Sequence, residues 1–429
     1  MPLPSQPEPL ARSPHAVEVC ADPAEELLRL ACLTYGADDA ARRDAAEALL
    51  RSQPSLARAN VHTMAAFGDH TALVGALDAD PAAANRQGGP FQLEPLLYAT
   101  YARVGPAYGG DAKRTVRVLL ERGADPDAGY LWDGNAPPFT VLTGAFGGGE
   151  GGQPPHPQVN ALAELLLAAG ADANDGQTIY NRGLGGLAND DVEHLELLFA
   201  HGLGAGDGGP WARRLGAELD TPADLLAAVL HRGAEYGLLR RVRLALAPGG
   251  DPNRGGVHPA CAGRTPYQGA LRNGNLTIAA MLEEAGADPA AADAVTRFAA
   301  LCMSPDRHAV DLAVATDPTL HVRARARDPA LLIRAAELGR VDAVRVLAER
   351  GWDVNLRRRT TALHEAALRG NTELCRALLA LGADRMLADT EFNAPPSGWA
   401  FHAGHPELAA ELTPEPVAPH APGEPGGGW

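Results

Sequence analysis

Cysteine is rare in this chain, and its few copies are poorly placed for chemistry. The five thiols (Cys20, Cys32, Cys261, Cys302 and Cys375) are scattered through 429 residues, odd in number and without a Cys-x-x-Cys pair. That argues against a disulfide framework and fits a reducing compartment. Long apolar runs are missing too. None approaches the roughly 18 residues of a membrane span, and no charged-then-apolar leader opens the chain, so a cytoplasmic protein is expected. Lysine is all but absent, Lys113 being the one copy among 37 basic residues. This bias reads as codon usage in a GC-rich bacterium. Positive charge as a whole is in deficit, with 53 acidic side chains and a net charge of −16. Such a surface repels nucleic acid and anionic membrane, and neither is expected as a partner.

Glycine and proline are abundant, at 48 and 35 copies, while 46% of the chain is hydrophobic. Many short buried elements separated by many turns reconcile the two. Self-similarity confirms that picture. Gly-Ala-Asp recurs at Gly123-Ala124-Asp125, Gly170-Ala171-Asp172, Gly286-Ala287-Asp288 and Gly382-Ala383-Asp384, with relatives at Gly250-Asp251 and Gly351-Trp352-Asp353. Each follows an apolar helical run, and the regular spacings are near about 33 residues.

The fullest copy is Thr361-Ala362-Leu363-His364-Glu365-Ala366-Ala367, followed by Arg369-Gly370-Asn371 and by Leu374 through Asp384. A second reads Thr265-Pro266-Tyr267-Gln268-Gly269-Ala270, with glutamine in place of histidine. On these residues the chain resembles the ankyrin-repeat family. Threonine caps a helix, small alanines let neighbouring helices approach, and leucines at i, i+3 and i+4 bury a stripe that stacking covers. The resemblance implies an all-α, elongated solenoid of helix-turn-helix units, with His364 tying adjacent repeats together. Units are expected to start near Ala24, Val61, Leu93, Thr140, Gln177, Thr221, Thr265, Ala292, Pro329 and Thr360, with a half-repeat cap from Ser397 to Leu412. They form one domain over 21–412, between disordered tails at 1–20 and 413–429; the register near 290–328 is the least defined.

Two insertions break the period, near 129–157 and 204–219. Each carries a tryptophan, Trp132 and Trp211, in a chain with five. Between them, Gln177 to Arg182 is polar where a first helix usually begins apolar. Insertions in a solenoid often lie on its binding face, and Trp, Tyr and Arg carry binding hot spots. Tyr130, Trp132, Asp133, Tyr180, Asn181, Arg182, Trp211 and Arg213 are therefore the candidate binding residues. The competing expectation is that these aromatics pack their own loops.

Catalytic motifs are absent. Gly147 to Gly152 lacks a following Gly-Lys-Ser/Thr and reads as a flexible loop; no Gly-x-Ser-x-Gly occurs. His402-x-x-His405 and His258-x-x-Cys261 have no second pair, so no metal or other cofactor is expected. The basic runs at 321–327 and 357–359 read as solvated edges, with an acidic peptide as their other conceivable partner. The resemblance implies a non-enzymatic, monomeric scaffold that binds a protein or peptide. Two alternatives stay open: a small-molecule or catalytic pocket built by the insertions around Asp133, Tyr180 or Arg182, and an acidic, immunity-type neutraliser of a bacterial toxin or effector. The charge balance predicts no measurable affinity for duplex DNA at physiological salt; salt-sensitive micromolar binding in a mobility-shift assay would contradict it.

Overall fold

In the computed structural model, residues 10–105, 112–185, 190–256, 261, 263–304 and 306–414 are described. They are mostly helical, with 24 α-helices and one three-stranded sheet. Two compact units are present: Met1–Gly233 with Leu238–Gly263, and Ala234–Gly237 with Arg264–Trp429. A helix begins within two residues of every expected repeat start, from Pro23–Ala31 and Val61–Phe67 to Pro266–Arg272 and Ala362–Leu368.

Local chemistry explains those starts. Thr265 Oγ1 accepts the N–H of Gln268, and Gln268 Oε1 accepts the N–H of Thr265 in return. The Gln268 Nε2 then donates to Ala291 O, 3.0 Å away. His364 does the same work. Its Nδ1 accepts the N–H of Thr361, and its Nε2 stands 3.0 Å from Ala394 O. Glutamine and histidine are interchangeable here because each offers an acceptor to its own cap and a donor to the next loop.

Successive loops are joined by a second device. Asn85 Oδ1 accepts the N–H of Asp125 while its Nδ2 donates to Gly123 O. Asn355 repeats this with Asp384 and Gly382. Asn174 does so with Gly204 and Ala205. At Gly123-Ala124-Asp125 and Gly382-Ala383-Asp384 the Gly-Ala-Asp exit is therefore the half that receives these bonds. Asn174 and Asn355, which supply the other half, each stand two residues beyond the aspartate of the preceding glycine exit.

In the second unit the core runs through Phe298, Leu331, Leu347, Trp352, Leu374, Leu378 and Leu412. The Ala335-Ala336 and Ala366-Ala367 pairs are fully buried, as close helix approach requires. The uncertain stretch resolves into three helices instead of two: Ala294–Met303, Arg307–Thr316 and Leu320–Arg327. The extra helix holds the first basic run. Arg323 pairs with Asp317 and Arg327 with Asp293, and Arg325 donates to Gly351 O. In the second run Arg359 pairs with Glu391 and lies 5.7 Å over the Trp399 ring.

The first unit adds a small sheet to its helices. Strand β1 (Ala11–Arg12) lies parallel to β2 (Gly129–Trp132), which pairs antiparallel with β3 (Asn135–Thr140). Residues 10–20, expected within a tail, thus begin as a sheet strand; 1–9 and 415–429 lie outside the described residues. The β2–β3 turn is Asp133-Gly134, with φ of 50° and 79°, the two left-handed residues that match a hairpin's twist. The other insertion contains a short helix, Gly209–Leu215.

Leu374 is fully buried on its packed helix. Leu374→Ala should lower unfolding stability by about 2–5 kcal/mol in urea melts, the range for a core leucine; a change within error would place that helix outside the cooperative core.

Candidate functional site

The insertions of the first unit do converge, though not through all the residues expected. Two clefts open side by side. One, of about 310 Å³, is walled by Pro137 and Pro138 of β3, by Asp175, Gln177 and Tyr180 at the start of helix Gly176–Gly185, and by Trp211 of the inserted helix. The loop residues Asp127, Asp172, Glu218 and Asp220 complete it. The other, of about 280 Å³, lies among Tyr35, Trp132, Phe139, Glu150, Gln153 and Asn181. Pro137, Gln177 and Tyr180 line both clefts.

Each candidate residue now has a place. Tyr180 is 43% exposed, and its hydroxyl donates to Glu150 Oε1 at 3.0 Å. Asn181 is buried in the second cleft, its Nδ2 donating to the Tyr35 hydroxyl and its Oδ1 accepting from Gln177 Nε2. Trp132 flanks the same cleft with its ring 4.9 Å from that of His15. Trp211 is buried, and its Nε1 donates to Asp127 O at 2.9 Å. Its ring passes so close to Gly129 that a Cβ there would stand 3.1 Å away. The other four candidates lie outside both linings. Tyr130 is in the core, with its ring stacked on Phe139 at 5.7 Å. Asp133 holds the N-terminal segment by accepting from Ser13 and pairing with His15. Arg182 pairs with Asp191, and Arg213 pairs with Asp207 on the surface.

Glycines 147–152, expected as a flexible loop, form an ordered turn. The Gly148 N–H donates to Gln153 O and the Gly149 N–H to Asn181 O, at 2.8 and 3.1 Å. At Gly147 a Cβ would come within 2.6 Å of Pro154 O, and φ is +61°, so a side chain is excluded twice over. The metal-type spacing at His258 lies outside the described residues.

Sequence inspection missed the acidic lining. Asp127 stands where Asn85 and Asn355 stand in other loops, and its Oδ1 accepts the N–H of Asp172 at 2.8 Å. A carboxylate cannot make the second, donated bond that an amide makes there. Burial pushes the Asp127 carboxyl up to about 6, with Asp125, Asp172 and Asp175 adding repulsion. Burial also raises Asp175, although Thr140 Oγ1 donates to it at 2.5 Å. The signal was available: aspartate replacing asparagine two residues beyond a Gly-Ala-Asp. No Ser, Cys, His or Lys lines either cleft among the described residues. The arrangement suits binding: rings, amides and carboxylates around open space.

The match to a known family falls in the other unit. Residues 332–379 match the family model for ankyrin repeats (many copies). A stretch of 76 residues is 37% identical to the palmitoyltransferase Hip14 of Drosophila melanogaster, covering 17% of this chain and 12% of that protein. The chain thus spans about an eighth of that relative's length. Ankyrin repeats support a protein-interaction role. Among the described residues no helix is long and apolar enough to cross a membrane.

A carboxyl raised in the folded state loses stability as pH rises from its unfolded value toward its folded one. For Asp127 that window runs from 3.8 to about 6. Asp127→Asn restores an amide that both accepts and donates. It should flatten the fall in urea midpoint across this window and raise the midpoint at pH 7. An unchanged pH profile would mean that Asp127 is not strained by burial.

Proposed function

We propose that this protein is an ankyrin-type binding scaffold, in which stacked repeats hold a peptide-docking site on the paired clefts of the first unit. The repeat match supports protein interaction in general. The observation that carries the site is the sharing of Pro137, Gln177 and Tyr180 by two neighbouring clefts. An extended peptide can place side chains at successive outward positions into such a pair. Prolines at 137 and 138 leave β3 without two backbone donors, which disfavours simple strand addition and leaves side-chain recognition as the mode.

Trp211 lines the first cleft and is also held by its own packing. Because it is buried and hydrogen-bonded to the Asp127 carbonyl, Trp211→Ala is expected to cost stability as well as affinity. Tyr180 is the cleaner probe, being the more exposed of the two and part of the shared wall. Peptides selected from a random display library on the full chain should bind Tyr180→Ala at least about tenfold more weakly, roughly 1.4 kcal/mol, with an unchanged thermal melt. Equal binding by that variant would move the site elsewhere.

A further inference from the structure

The clefts present six carboxylates, Asp127, Glu150, Asp172, Asp175, Glu218 and Asp220, and no Arg, Lys or His in their linings. Acidity alone names no ligand. The second cleft adds an independent feature. Gln153 is 7% exposed, and its Oε1 is buried without a hydrogen-bond partner. A Cβ built on Gly149 would stand 3.3 Å from Gln153 Oε1, from Asn181 Oδ1 and from a Tyr35 ring carbon alike. Two amide oxygens and an aromatic edge therefore crowd together beside Gly149, and all three residues line the cleft. Glu150 stands exposed beside them, and the rings of Trp132, Phe139 and Tyr180 complete the walls.

The unpaired Gln153 Oε1 calls for a donor, and the surrounding charge calls for a cation. Aromatic faces select among cations. A guanidinium is flat, carries five N–H donors and stacks on rings, whereas an ammonium is a compact, strongly hydrated point charge. Carboxylate and phosphate groups are repelled. Resting on the peptide-docking function proposed above, we infer that the Tyr35–Trp132–Gln153 cleft receives an arginine side chain of a basic peptide partner. Its guanidinium donates to Gln153 Oε1 and faces the Glu150 carboxylate. The neighbouring acidic cleft then favours further positive charge on the same peptide.

The test uses the full chain and a capped, fluorescein-labelled peptide of alternating arginine and serine. Matched peptides carry lysine, citrulline or glutamate in place of arginine, and binding is read by fluorescence polarisation. The arginine peptide should bind at least about tenfold tighter than the citrulline peptide and several-fold tighter than the lysine peptide. Gln153→Leu should weaken arginine binding about fivefold or more with an unchanged melt, while leaving the lysine peptide little affected. Citrulline binding equal to arginine would overturn the proposal in favour of neutral amide recognition. Equal arginine and lysine binding, insensitive to Gln153→Leu, would overturn it in favour of diffuse attraction to an acidic surface. If library-selected peptides need Tyr180 but contain no arginine, this inference fails and the docking function stands. If no peptide of any composition binds, the docking function itself fails.

Discussion

The first unit depends on one recurring contact: a side chain in one loop accepts the backbone N–H of the next. Asn85 catches Asp125, Asp127 catches Asp172, and Asn174 catches Gly204. Each bond fixes the register between consecutive loops. A long insertion can then leave the series of loops and return without disturbing it. The β2–β3 hairpin and the Gly209–Leu215 helix are such excursions, and both lie across the loop ends that these bonds hold. The rings of Trp211 and Tyr180 are positioned by that frame.

The same constraint explains why the site is acidic. Asparagine is the better loop residue, since its amide serves two neighbours at once. Where aspartate stands instead, at position 127, one bond is lost and a charge is brought beside Asp172 and Asp175. That arrangement weakens the fold and concentrates negative potential in a cleft. A binding role gives the substitution a purpose that stability does not, because functional sites are where local rules are broken.

Much of the helical pattern was legible because period, cap and glycine exit point the same way. Threonine before Pro266, the Ala366-Ala367 pair and the Gly382 exit each have a local cause, and helices begin at the expected starts. The strands were not foreseen. Asp133-Gly134 is a strong hairpin signal in itself, but its flanks, Tyr130-Leu131-Trp132 and Asn135-Ala136-Pro137-Pro138, lack clean alternation. Pairing with Ala11 and Arg12 from far along the chain supplies what local propensity does not. Among the site residues, aromatic type alone could not separate Tyr130, which packs in the core, from Tyr180, which faces the clefts. Burial decides that, and burial is a tertiary property. Asp127 and Gln153 were missed because polar residues in a repeat loop look like ordinary surface.

The central claim is that partners bind the irregular first unit and not the regular repeats that match the ankyrin family. Hydrogen–deuterium exchange on the full chain, with and without a saturating library-selected peptide, tests it most directly. Protection is predicted in segments 126–140, 172–182 and 208–225, the walls of the two clefts. Protection confined to 332–379, with those segments exchanging unchanged, would contradict it.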